Sequence, residues 1–233
     1  MYKRPHHQRI ARILAALDAQ ILEICACLFG GGTCIALRYG EYRESVDIDF
    51  LVADAEGYRE LRQRLTGERG LASITRAGAI ALAPVRELRA DQYGLRTLLQ
   101  IDNQVIKFEI VREARISFDP PGEDDRLCGI ATLTQADLAA SKLLANADSY
   151  AYDIIFSRDL IDLAMLELTP ACWKRAFAKA EAAYGTAIRR DLDQAIARMQ
   201  QRPEWLARCQ QAMGMSMPQA QLWQKIRKLG RMG

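Results

Sequence analysis

The sequence predicts an α+β protein, with a mixed α/β part over residues 1–118 and a helical part over residues 119–233. Three observations predict it. Apolar residues recur at three- and four-residue steps near the N-terminus, a helical period. Residues 72–112 are β-branched and alternating, with turn formers between the runs. After the proline- and acid-rich stretch Asp119–Asp125 the helical period returns and continues to the end.

The first helix spans 8–28 on this reading, with Ile10, Ile13, Leu14, Leu17, Ile21 and Ile24 on one face; its last part, Ile24–Phe29, reads equally well as a short buried strand. Gly30-Gly31-Gly32 breaks the pattern. Thr33 then suits the N-cap of a short helix, Cys34–Tyr39, closed by Gly40. Val46–Val52 reads as a strand and 55–66 as a helix. Turns fall at Gly78, Gly94 and Asp102-Asn103, the last joining a hairpin of Leu95–Ile101 and Gln104–Val111. Thr134 and Asp137 form a capping box, and Thr169-Pro170 starts another helix with proline in its first turn. Three more helices follow near 186–200, 203–213 and 218–229, with Trp205 and Trp223 read as core or interface residues.

Composition narrows the function classes. Half the residues are hydrophobic, enough for a sizeable core, and 32 basic against 29 acidic side chains leave a net charge of only +3. That balance excludes a nucleic-acid coating protein but leaves room for a local basic groove. No apolar run reaches the twenty or so residues of a membrane helix, and no apolar secretory core follows the basic N-terminus. Six scattered cysteines without Cys-x-x-Cys, and only two histidines (His6 and His7, at an end expected to fray), argue against a zinc site and for a reduced, cytoplasmic protein that does not engage a membrane.

The residues that carry chemistry begin with Gly31-Gly32-Thr33, followed after the short helix by Ser45-Val46-Asp47-Ile48-Asp49-Phe50. Strand residues two apart share a face, so Asp47 and Asp49 point together. Paired carboxylates repel each other, and a hard divalent cation such as Mg²⁺ removes that repulsion. The glycine turn leads into a helix N-terminus, whose bare N–H groups suit a phosphate chain. Glu109, in Val105–Val111, has two readings: with Lys107 it faces water, or it faces Asp47 and Asp49 from a neighbouring strand as a third carboxylate that shares the cation or takes a proton from an attacking hydroxyl.

Gly31-Gly32-Thr33-x-x-Ala36-Leu37-Arg38-Tyr39-Gly40, Ser45-x-Asp47-Ile48-Asp49-Phe50 and Lys107-Phe108-Glu109-Ile110 together resemble the polymerase-β-type nucleotidyltransferases. More closely they are similar to the AbiEii/AbiGii toxin nucleotidyltransferase family. Leu133-Thr134-x-x-Asp137-Leu138-Ala139-Ala140-Ser141-Lys142 resembles that family's lysine-bearing helix, and Arg158-Asp159-Leu160-Ile161-Asp162-Leu163 its Arg-Asp-x-x-Asp-Leu signature. The resemblance covers about residues 30–165, and Ala147–Tyr150 stand where the family often has an arginine.

The resemblance implies a polymerase-β-like core over 1–118, a mixed sheet flanked by helices, and a helical bundle over 119–233 that completes the active-site cleft. It implies Asp47, Asp49 and Glu109 as ligands of Mg²⁺ (or Mn²⁺), with a nucleoside triphosphate held by Gly31, Gly32, Thr33, Ser45 and Lys142. Asp159 would orient Lys142 or the acceptor, while Asp162 either shares in function or pairs within the helical layer. Transfer of a nucleoside monophosphate to RNA, with tRNA the favoured acceptor, and a companion antitoxin are implied too. Basic runs at both ends (Lys3, Arg4, Arg9 and Arg12; Lys225, Arg227, Lys228 and Arg231) are solvated faces or docking sites for RNA phosphates or an acidic partner. Two other functions fit the same residues: a small-molecule nucleotidyltransferase of the antibiotic-modifying kind, and a catalytically inactive nucleotide-binding interaction module.

Overall fold

The structure, a computed structural model, describes residues 2–232. It is a mixed α/β fold with ten α-helices among the described residues. The chain packs as two compact units: one holds the residues up to Cys34 together with Ser45–Thr134, the other holds Ile35–Glu44 together with the residues from Gln135 onward.

The first unit is built on a six-stranded mixed sheet. Its strands are β1 (Cys27–Phe29), β2 (Ile48–Val52), β3 (Ala83–Pro84), β4 (Arg89–Ala90), β5 (Gly94–Ile101) and β6 (Gln104–Arg112). They run in the order β1-β2-β6-β5-β3, with β4 also on β5; β2 and β6 are parallel and the other pairs antiparallel. The core face is an aromatic ladder. Phe29 and Phe50 lie 5.5 Å apart between ring centroids, Phe50 and Phe108 5.7 Å, all within 1% of full burial. The expected hairpin of 95–101 and 104–111 is β5–β6, turning at Asp102-Asn103.

Other expectations change. The helix expected over 8–28 is three elements: α1 (Pro5–Ala16), α2 (Ala19–Ile24) and β1. Asp18 makes the break by accepting hydrogen bonds from the Gln20 and Ile21 N–H groups, so an N-cap interrupts a continuous apolar stripe. Ile24–Phe29 takes the strand alternative in part, as Cys27–Phe29. The short helix α3 (Gly31–Arg38) begins at Gly31, which puts Thr33 in its first turn rather than at its cap; Gly40, at φ +79°, follows its end. Helix α4 (Ala55–Thr66) is capped by Asp54, which accepts from Gly57 N–H at 2.5 Å. In the stretch expected as strands from 72, residues 70–74 form a 3₁₀ turn and β3 and β4 are only two residues long. The stretch after Asp125 is not wholly helical, since β7 (Arg126–Leu127) and β8 (Ile130–Ala131) pair as a small hairpin.

The regular elements of the second unit are helical. Helix α5 (Gln135–Ser149) packs on α6 (Arg158–Met165), α7 (Pro170–Tyr184) and α8 (Ala187–Gln201), followed by α9 (Pro203–Ala212) and α10 (Gln219–Leu229). Thr169 caps α7 by accepting from Cys172 N–H, with Pro170 in the first turn. Trp205 is buried, as expected of a core residue, while Trp223 is half-buried. All six cysteines are free, and among the described residues no helix is long and apolar enough to cross a membrane.

Candidate active site

Strand β2 carries the first-unit candidates. Ile48 and Phe50 are fully buried on the core face, while Asp49 between them and Asp47 just before the strand are half-exposed. Asp49 pairs in register with Glu109 on β6, and Glu109 with Arg96 on β5, so two carboxylates and a guanidinium form a row on the face away from the aromatic ladder. Glu109 is engaged within that row: one carboxylate oxygen pairs with Arg96 Nε at 2.9 Å and the other with Lys107 Nζ. Among the described residues no three His, Cys, Asp or Glu side chains are placed as a ready metal cluster.

The glycine turn meets Asp49 closely. Gly30 N–H donates to the Asp49 carbonyl at 2.9 Å, and Gly31 has φ +67°. A Cβ on Gly31 would stand 2.7 Å from Asp49 Oδ2 and 3.0 Å from its Cβ, so only glycine lets the start of α3 approach this carboxylate. Asp49, a hard carboxylate against a helix N-terminus, is the kind of donor Mg²⁺ takes when phosphates and water complete its shell.

Thr33 and Ser45, both buried, are joined through their hydroxyls at 2.7 Å, with Thr33 donating. The Ser45 N–H donates to His7 Nε2 at 3.1 Å, and His6 Nε2 lies 3.0 Å from the Val46 carbonyl. The frayed end expected around the two histidines is instead the first turn of α1, with His7 fully buried. No sequence pattern marked His7. Its signal is purely tertiary, a ring that accepts the one N–H of Ser45. A cavity of about 780 Å³ also lies in this unit. It is lined by Ala53 and Asp54 after β2 and by Glu113–Pro121 after β6, the opposite end of the strand from Asp47.

The second unit buries a cluster of charges. Lys142 Nζ on α5 contacts Asp159 Oδ1 and Asp162 Oδ2 of α6, both at 2.8 Å. Asp162, fully buried, also takes Arg43 Nε at 2.7 Å on Oδ1, Arg43 Nη2 at 2.9 Å on Oδ2, and the Tyr42 hydroxyl at 2.6 Å. Burial alone would raise the Asp162 carboxyl, but Arg43 and Lys142 outweigh it and hold it well below the usual carboxylate range. Burial would likewise lower Lys142, but Asp159 and Asp162 raise it, so the ammonium is firmly protonated. Burial pushes the Tyr42 phenol well up, with Asp162 adding to it, so it stays a neutral donor. Sequence reading singled out Lys142, Asp159 and Asp162 but passed over Tyr42 and Arg43, which lie in no motif that marks them.

Carboxylates beside a glycine-lined helix start, and a buried lysine held by acids, are the parts a phosphoryl- or nucleotidyl-transferring protein uses to position charge. The chain belongs to the AbiEii nucleotidyltransferase family: the model for the nucleotidyl transferase AbiEii toxin of type IV toxin–antitoxin systems matches residues 12–227. Membership supports nucleotidyl transfer, a nucleotide substrate, a toxin–antitoxin role and a cognate antitoxin. JHP933 from Helicobacter pylori is similar in structure, with TM-score 0.51 and 17% identity over 100% of this chain and 91% of that one, which shows a shared fold. A candidate nucleotidyltransferase from H. pylori superposes at TM-score 0.47 with 18% identity, over 97% of this chain and 91% of that one. No curated protein matches the chain.

Proposed function

We propose that the protein is a Mg²⁺-dependent cytoplasmic toxin that moves a nucleoside monophosphate from a nucleoside triphosphate to RNA, with tRNA the acceptor favoured by the family resemblance. One observation carries the reading: the Asp49 carboxylate lies against Gly31 at the start of α3, so an acid and a helix end of the kind that suits a phosphate share one place.

In this mechanism Asp47 and Asp49 would hold the cation, Mg²⁺ or Mn²⁺. When bound, the cation supplies charge neutralisation to the triphosphate oxygens. The first N–H groups of α3 and the Ser45 hydroxyl, fixed by Thr33 and His7, take phosphate oxygens. The family resemblance gives Lys142, whose ammonium is held by Asp159, the role of supplying positive charge to a triphosphate. The acceptor hydroxyl oxygen bonds to the α-phosphorus, the bond from that phosphorus to the bridging oxygen breaks, and pyrophosphate leaves with the electron pair. Glu109, beside Asp49, takes the hydroxyl proton or joins the cation only by exchanging its pairs with Arg96 and Lys107.

The test is incubation with each of the four α-labelled triphosphates, Mg²⁺, and either an RNA pool or a panel of hydroxylated small molecules. Label in RNA, absent for Asp47→Ala, is the expected result. Label only in a small molecule replaces the acceptor, and wild-type labelling unchanged by Asp47→Ala refutes the mechanism.

A further inference from the structure

The geometry points to Arg43 as a positioning residue that keeps Lys142 available to a triphosphate by neutralising Asp162, an inference that rests on the nucleotidyltransferase reading. Lys142 alone faces two carboxylates, Asp159 and Asp162, each at 2.8 Å. Were those the only charges, the ammonium would be outnumbered two to one and the local charge would be −1, which repels a polyphosphate.

Arg43 changes the sum. Its guanidinium forks onto both oxygens of Asp162, through Nε to Oδ1 at 2.7 Å and Nη2 to Oδ2 at 2.9 Å. The paired fork is the strong geometry for arginine and carboxylate, and it sets a second positive charge against Asp162 beside that of Lys142. Tyr42 donates a further hydrogen bond to Oδ1. The cluster is then two cations against two carboxylates, with no net negative charge left to repel a polyphosphate. An ammonium has three donors. Asp159 and Asp162 occupy two of them, which leaves the third for a phosphate oxygen.

The path of the chain supports the inference. Ile35–Glu44 leaves the first unit to pack with the second, although first-unit residues flank it on both sides. Tyr42 and Arg43 anchor that excursion to Asp162, with Arg43 only 5% exposed. An arginine serving only as a peg needs a carboxylate partner. It does not need one that is simultaneously shared with the lysine assigned to the triphosphate.

The opposite signs of two substitutions test this. Triphosphate binding is measured by calorimetry with Mg²⁺ on the full chain, and thermal melting confirms that each variant is folded at the assay temperature. Arg43→Gln leaves Asp162 to bear on Lys142 and weakens binding by about tenfold, on the order of one ion pair. Asp162→Asn removes one carboxylate from Lys142 and strengthens binding several-fold, even though it lowers the melting temperature. The double variant returns close to wild type. Arg43→Lys keeps the charge but loses the fork, so its loss falls between wild type and Arg43→Gln. A merely structural Arg43 predicts that Asp162→Asn weakens binding as Arg43→Gln does, and that result overturns the inference, as does a loss for Arg43→Lys equal to that for Arg43→Gln. Wild-type protein that binds no triphosphate overturns the transferase reading and this inference with it. Normal wild-type binding with the wrong signs overturns this inference alone.

Discussion

Replacing Gly31 with alanine separates the backbone demand of the glycine turn from its contact with Asp49. Gly31 and Gly40 both have left-handed backbone, at φ +67° and +79°. An L-residue there costs about 1–2 kcal/mol, and both Gly31→Ala and Gly40→Ala incur it. Nothing lies within 4 Å of a Cβ on Gly40, so its cost ends there. On Gly31 the new methyl meets Asp49 Oδ2 at 2.7 Å and Asp49 Cβ at 3.0 Å. Rotating Asp49 off its rotamer adds about 0.5–1.5 kcal/mol. Gly31→Ala therefore melts below Gly40→Ala by about 2–4 °C, taking about 1 kcal/mol as the difference for a chain of this size. On the proposed mechanism the sharper difference is functional, because a displaced Asp49 would no longer hold the cation. Paired thermal melts and Mg²⁺-dependent triphosphate binding are the assays. Equal melting temperatures for the two variants, with cation-dependent binding intact in Gly31→Ala, would mean that the Gly31–Asp49 contact matters neither to stability nor to the cation.

Three further outcomes follow from the geometry. The Asp162 carboxyl is held below its unfolded value of about 3.9, so its stabilisation is present above that pH and lost as pH falls through the folded value; acid unfolding followed by circular dichroism should show a shallower dependence below about pH 4 for Asp162→Asn than for wild type. His7→Leu leaves the Ser45 N–H without its acceptor and costs about 1–3 kcal/mol, with weaker triphosphate binding measured by calorimetry because Ser45 is no longer fixed. Thr169→Ala removes the cap of α7, costs about 1 kcal/mol by urea unfolding, and leaves triphosphate binding unchanged.

How far the sequence discloses this molecule depends on whether a feature is local. The β5–β6 hairpin, α4 and the helices from α7 onward were legible because alternation, apolar period and caps such as Thr169-Pro170 act within a few residues. The break at Asp18 was not, because its apolar neighbours continue the same stripe and only the side chain's hydrogen bonds to Gln20 and Ile21 end the helix. The two-residue strands were illegible because a pairing that short carries no period. Asp47, Asp49, Lys142 and Asp159 could be singled out from spacing and resemblance. His7 and Arg43 could not, because what marks them is a partner 38 residues away in one case and 119 in the other. The ion pairs of Glu109 with Arg96 and Lys107 were hidden for the same reason: Lys107 is visible beside it, but Arg96 arrives only through strand register.

In the proposed mechanism the acids at 47 and 49 together hold the cation that carries the triphosphate, and a Mn²⁺ titration followed by electron paramagnetic resonance reads that binding itself. Wild-type protein should bind Mn²⁺ more tightly when a triphosphate is present, and Asp47→Asn and Asp49→Asn should each lose that gain while keeping the wild-type circular dichroism spectrum. Mn²⁺ bound equally well by wild type and by the variant carrying both substitutions would mean that Asp47 and Asp49 do not hold the cation.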